Sequence, residues 1–240
     1  MTDHHVHIGQ FNEVYYDPHE VFEAISASCK KSGIDEVHYS STSSCRYDVE
    51  LSKIEEEIEY AQKFKSSVLK IRPYFWAVPS YFTEKVNLES IMSRFDCCGI
   101  KIHPFAHSWD FNNFKHRIAL EKIFLYAQEN QKLILLHTGI DKQCRAERFE
   151  MFFKEFPNAR VILAHSLPLI ETINIIRKYK NVYSDISFVD DLSIKKMIDA
   201  GVKGKIVFGT DFPLTNYFSD KKLSFEKQYE QDCKNLNLII

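Results

Sequence analysis

The sequence predicts a (β/α)8 TIM barrel. Eight short apolar runs rich in β-branched and aromatic residues alternate with longer amphipathic stretches, the signature of repeated βα units on a parallel sheet. Several of those runs end abruptly in a histidine or aspartate, where a barrel keeps its chemistry. A doubly wound sheet would have fewer strands and a glycine-rich phosphate turn, and no Gly-x-Gly-x-x-Gly is present.

The first strand is placed at 3–8. Asp17 then caps a helix with Pro18 in its first turn and Gly33 as its stop. Strand two is 35–40, followed by a Ser/Thr-rich loop through Arg46 and a charged helix near 49–65. Strand three, 68–77, is closed by Pro79, with a helix at about 87–95. Strand four, 99–104, opens into an aromatic loop holding Phe105, His107, Trp109 and Phe111, and a helix follows at 113–129. Strand five is 132–137, with a helix near 145–155; strand six is 160–165, with Pro168 starting the next helix. Strand seven is 181–185, a helix covers 192–200, strand eight is 205–211, and the polar tail is helical. No domain-length linker or repeat interrupts 1–240, so one barrel domain is expected.

A net charge of −2 with no basic stripe gives no electrostatic case for nucleic acid or an anionic membrane. No apolar run approaches a membrane span and no signal sequence is read, so a soluble, cytoplasmic protein is expected, acting on a small molecule and open to homo-oligomerisation. The six cysteines show no Cys-x-x-Cys spacing and read as buried or half-buried thiols.

Side chains of a strand alternate faces, so in Asp3-His4-His5-Val6-His7 the residues Asp3, His5 and His7 share one face. Two imidazoles on one side of a strand can grip one divalent ion. Alone, a His-x-His pair among ten histidines means little. Strands five, six and eight, however, run through Leu, Ile and Val into His137, His165 and Asp211. Parallel strands are buried on both faces, so these polar residues fall at the end where a barrel site sits. The convergence points to a metal centre. His4, His19, His38 and His116 lack that placement and read as structural or surface residues.

These residues match a family. Asp3-His4-His5-Val6-His7-Ile8-Gly9, His137-Thr138-Gly139, His165 and Phe208-Gly209-Thr210-Asp211-Phe212-Pro213 resemble the amidohydrolase superfamily, in its branch that includes aminocarboxymuconate-semialdehyde decarboxylase-like enzymes. The resemblance implies that His5, His7, His137 and Asp211 bind the metal. It makes His165 either a second-metal ligand or the group that polarises the substrate. Imidazole and carboxylate suit Zn²⁺, with Mn²⁺ the alternative, and one ion is favoured over two. Asp211 would be the general base for water attacking a carbonyl carbon, with His165 or the metal stabilising the oxyanion. Two-metal relatives use a carbamylated lysine at the end of strand four. Lys101 stands there, but His103 shares its parity; an unmodified Lys101 contacting an anionic substrate or pairing with a carboxylate is favoured. Trp76, Phe105 and Trp109 are placed as pocket walls, and Asp185 either orients a ligand histidine or caps a turn.

The leading expectation is a metal-dependent hydrolase of a lactone, ester or amide. A decarboxylase of the same branch is the first alternative. Those enzymes look to an arginine on the first loop, and none lies between His7 and Arg46, although Arg46 or Arg72 offers a substitute. Deoxyribonuclease-like relatives, which use a glutamate ligand in the middle strands, rank lower. A non-catalytic metal-binding barrel is the remaining alternative, suggested by a short tail after Pro213 without the Asn-Ala helix common in such families.

Overall fold

Side-chain parity organises the barrel. In β6 (Leu133–His137), Leu133 and Leu135 join an inner apolar layer with Tyr74, Cys98, Ile162 and Ala164, while Ile134 and Leu136 face outward to the helices. The next inward position is His137, so the period of two that buries the leucines also delivers a histidine to the barrel mouth. In β5 (Gly99–Ile102), Ile100 and Ile102 likewise pack outward, leaving Lys101 buried inside.

The computed structural model describes residues 1–45, 49–82 and 86–240, so Arg46 lies outside the described residues. β1 (Thr2–Phe11) heads the sheet. The antiparallel β2 (Val14–Tyr16), which the sequence reading missed, folds back on its end through a turn with Asn12 at φ 51. From β1 the sheet runs in parallel through β3 (Glu36–Ser41), β4 (Lys70–Trp76), β5, β6, β7 (Arg160–Ala164) and β8 (Val182–Ser184).

Closure comes from segment 206–212, which overlaps the predicted eighth strand at 205–211, Lys205 itself ending a 3-10 turn. Isolated bridges join Ile206 to Ser184 and Phe212 to Val6, and Asp211 N–H donates to His5 O at 2.7 Å. The segment is a stave rather than a regular strand, because Asp211 adopts φ 61 and turns the chain out of extended geometry.

The crossover helices follow the expected alternation. α1 (Pro18–Ser32) is capped by Asp17, whose carboxylate accepts from His19 N–H, and it ends at Gly33 in the left-handed region. α2 (Leu51–Ala61), α3 (Leu88–Arg94), α4 (Phe114–Glu129), α5 (Glu150–Glu155), α6 (Leu169–Lys178) and α7 (Asp191–Asp199) cover the sheet. α8 (Leu214–Phe218), α9 (Phe225–Asp232) and α10 (Leu236–Ile239) form the tail. Among the described residues no helix is long and apolar enough to cross a membrane. All six cysteines are free, five of them buried.

Below the mouth, His38 lies inside the barrel with its Nδ1 3.1 Å from His4 Nδ1 and its Nε2 3.1 Å from Glu36 Oε1. Burial pushes both imidazoles down to about 3. A base whose folded value is depressed leaves the unfolded chain to take up the proton. Stability is therefore expected to fall as pH drops from 6.5 toward 3, by up to about 4 kcal/mol for His38. Midpoint denaturant concentration measured against pH should lose much of that slope in His38→Gln, and an unchanged slope would contradict this origin.

Candidate metal centre

Three lone-pair-bearing atoms converge at the mouth. His5 Nε2 and His7 Nε2 lie 3.1 Å apart, and Asp211 Oδ1 is 2.9 Å from the first and 3.0 Å from the second. All three residues are buried. The outer nitrogens fix the tautomers. His5 Nδ1 faces Asp185 Oδ2 at 2.8 Å, and His7 Nδ1 faces the Ser40 carbonyl oxygen at 3.2 Å. Both partners accept, so each Nδ1 carries the proton and each neutral ring turns an unprotonated Nε2 inward. Asp211 Oδ1 has no aligned donor. Acceptors crowded together in a buried place need a cation between them.

Ligands about 2.0–2.1 Å from one ion stand about 3 Å from one another, so the spacing of the three atoms fits a single divalent ion. Burial pushes His5 down and so does Lys101, but the Asp211 and Asp185 carboxylates more than offset both, and its net shift is upward. Burial lowers His7. Burial would raise Asp211, yet with no ion bound, protons on His5 and His7 hold it well below the usual carboxylate range; a metal would take the place of those protons.

Backbone geometry concentrates here as well. His165, Ser166 and Asp211 all have positive φ without being glycine. Such conformations persist where the surroundings enforce them. Asp185 Oδ1 accepts from His165 N–H at 2.8 Å, and His5 O accepts from Asp211 N–H at 2.7 Å.

Gly209 explains how the closing stave comes so near. A Cβ there would stand 2.9 Å from Asp185 Cβ and 3.0 Å from His5 Cβ. Gly209→Ala is expected to displace both side chains, destabilise the fold by about 1–3 kcal/mol and lower metal retention. Denaturation together with elemental analysis checks this; a variant matching the parent in both would remove the close-approach argument.

His165 sits beside the three. Its Nδ1 lies 2.8 Å from Ser187 Oγ and its Nε2 3.2 Å from His137 Nδ1, and burial lowers its pKa to about 4, so the ring is neutral at neutral pH. Lys101 Nζ is 3.0 Å from His5 Nε2 and 5.9 Å from the Trp76 ring centre. Burial draws Lys101 downward while Asp211 and Asp185 pull it up.

His137 lines the same cavity but is not one of the convergent three. Its ring stacks on His103 at 3.7 Å, and His103 stacks in turn on Trp76 at 6.2 Å, forming an aromatic ladder along one wall. Ligand atoms of His137, His103 and Cys144 form a second close group. Trp76 lines the cavity as expected.

Trp109 corrects the sequence reading. It is packed in the core with its edge toward His116, away from the cavity, and Phe105 is 60% exposed outside it. The aromatic loop after β5 packs Trp109 into the core rather than over the cavity, a direction that residue type does not encode. Of the arginines proposed as carboxylate partners, Arg72 points elsewhere, pairing with Asp96 at 2.9 Å. Ser40 and Ser187, which orient His7 and His165, were missed because a serine near a strand end carries no distinguishing pattern.

The cavity over these groups measures about 370 Å³, within the range of small-molecule sites. Comparison with known proteins agrees with the architecture. The amidohydrolase family model matches residues 71–228. No curated protein matches the chain. Among solved structures, a probable 2-pyrone-4,6-dicarboxylic acid hydrolase of Acinetobacter baumannii with citric acid bound aligns over 100% of this chain and 95% of its own, at 12% identity and TM-score 0.61. An uncharacterised TIM-barrel protein of Bordetella bronchiseptica aligns over 99% and 94%, at 13% identity and TM-score 0.63. A 4-oxalomesaconate hydratase of Rhodopseudomonas palustris aligns over 98% and 92%, at 11% identity and TM-score 0.60. At these identities the likeness is one of fold, the (β/α)8 barrel. Since the family model covers well over half of the sequence, the chain belongs to the amidohydrolase family.

Proposed function

We propose that the protein is a metal-dependent hydrolase that directs water onto the carbonyl of a small lactone, ester or amide. The observation that carries this reading is the convergence of His5 Nε2, His7 Nε2 and Asp211 Oδ1 on the floor of an open cavity. His5, His7 and Asp211 would hold one Zn²⁺ or Mn²⁺, with His137 completing the set from the adjoining wall. A bound ion supplies Lewis acidity to the carbonyl and acidifies water.

The chain's own groups supply the rest. Asp211 accepts the proton of the attacking water through a carboxylate that a bound ion and Lys101 would keep ionised. Ser187 gives its hydroxyl proton to Asp185 and so accepts from His165 Nδ1–H, which leaves neutral His165 with an unprotonated Nε2 that can take up a proton, while Lys101 is the buried donor for the developing oxyanion. The ladder of Trp76, His103 and His137 walls off bulk water on one side.

Hydrolysis is favoured over decarboxylation because, among the described residues, no arginine lines the cavity to grip a substrate carboxylate. Two of the structural neighbours are named as a dicarboxylic acid hydrolase and a hydratase, both reactions of water, although an N-acetylneuraminate lyase shares the fold as well. The fixed tautomers of His5 and His7 argue against a barrel that binds no metal, and turnover is what separates the enzyme from a non-catalytic metal-binding barrel.

Elemental analysis of purified protein, paired with panels of lactones, esters and amides and of carboxylated aromatics, tests the proposal. About one equivalent of metal with hydrolysis supports it. Carbon dioxide release from the aromatics alone would replace it with the lyase, and no metal uptake on reconstitution would leave the non-catalytic barrel. His165→Asn separates two roles: metal content kept with turnover reduced about 10²-fold marks a proton-transfer group, whereas lost metal marks a ligand.

A further inference from the structure

The upper walls of the cavity are apolar, and they are so in an unusual place. Ile140, Phe188 and Phe218 line it while remaining 77%, 47% and 59% exposed. Phe218 meets Phe11 at 5.8 Å and Phe188 at 5.9 Å between ring centres, and Phe188 meets His165 at 5.8 Å. Three separate elements, the end of β1, the segment after β8 and α8, thus build one continuous aromatic band leading down to the reacting groups. Phe188 holds φ 58, a conformation disfavoured for a bulky side chain, while presenting its ring there. Contiguous exposed apolar surface of this kind marks a ligand contact.

Charge points the same way. Lys101 is the one cation among the described lining residues, and it sits on the floor where Asp211 and Asp185 already compensate it. The group at the rim is Asp141, an exposed carboxylate that repels anions.

We infer that the substrate carries an uncharged, apolar group, aryl or branched alkyl, on the side remote from its reacting carbonyl. The placement of that carbonyl rests on the hydrolase reading above; the preference of the walls does not. A neutral aryl group gains by covering Phe188, Phe218 and Ile140. A second carboxylate in the same position would lose its hydration with no described cation to meet it.

Calorimetry on the metal-loaded full chain tests this with two lactams first checked for ring opening by the protein, 3,4-dihydro-2-quinolinone and the same lactam carrying a carboxylate on its benzene ring. The neutral lactam is expected to bind at least tenfold more tightly, with a negative heat-capacity change. Phe188→Arg and, independently, Phe218→Arg should each weaken it about tenfold and improve the carboxylated probe, with metal content unchanged. Equal or tighter binding of the carboxylated lactam, no binding of either, or indifference of both arginine variants overturns the inference. Dihydrocoumarin hydrolysis is followed in parallel. Binding preference without turnover of any ester or lactone sinks the hydrolase reading alone, and turnover favouring carboxylated lactones sinks the inference alone.

Discussion

Asp211→Asn is expected to lose most of its bound metal and to lower kcat/KM by about 10³–10⁴, the range for removing a general base, or more. Asparagine is the informative replacement because Asp211 sits at φ 61, a region that Asn tolerates as Asp does and other side chains do not. The backbone bonds from Asp211 N–H to His5 O and from Leu214 N–H to Asp211 O should therefore survive. What disappears is the negative charge that His5, His7 and Lys101 surround. An amide offers one neutral oxygen to the ion and cannot accept a proton from water at neutral pH. Elemental analysis, circular dichroism and turnover distinguish the outcomes. A folded variant with the parent's metal and activity would remove both the ligand and the base assignments.

The legibility of this site in the sequence follows from periodicity. His5 and His7 were readable because the alternation holds between those two, but the register of β1 shifts between Asp3 and Val6, so Asp3, expected on their face, instead accepts from Thr210 and Tyr229; His137 was readable because Leu133 and Leu135 set its parity. Asp211 was readable by position, although its strand is irregular. The apolar run Ile206-Val207-Phe208 does close the barrel, but Gly209 must pass against His5 and Asp185 and the chain then turns, which no propensity encodes. The hairpin strand β2 was missed because its turn, Asn12-Glu13, lacks the Gly that usually signals one. Aromatic residues were the least legible. Trp109 and Phe188 both follow strand ends in irregular segments, yet one is packed in the core and the other lines the cavity. Loop direction depends on tertiary contacts such as the Phe188–Phe218 pair, joined across thirty residues of chain.

Asp185 links the fold to the metal centre, and its two replacements should fail in different ways. It is fully buried; Oδ2 lies 2.8 Å from His5 Nδ1, while Oδ1 accepts from His165 N–H at 2.8 Å, Ser187 N–H at 3.1 Å and the Ser187 hydroxyl at 2.8 Å. Burial would raise this carboxyl, but His5 and, after it, His165 together more than compensate and hold it below the usual range. Asp185→Ala strands those donors without partners, at about 1–3 kcal/mol for each buried group left unpaired, so the variant should be markedly destabilised. Asp185→Asn can keep Oδ1 as the acceptor for His165 and Ser187, preserving the fold. Its amide nitrogen then replaces Oδ2 and donates to His5 Nδ1. That forces the proton of His5 onto Nε2, aimed into the metal position, and a protonated nitrogen cannot be a ligand. Metal affinity should fall about 10–100-fold in a protein whose melting temperature without metal stays near the parent's. Competition with a chelator measures the first quantity and thermal denaturation of the metal-free proteins the second. Parent-like affinity in the asparagine variant would mean that His5 does not bind through Nε2, and the centre would have to be rebuilt around His7, His137 and Asp211.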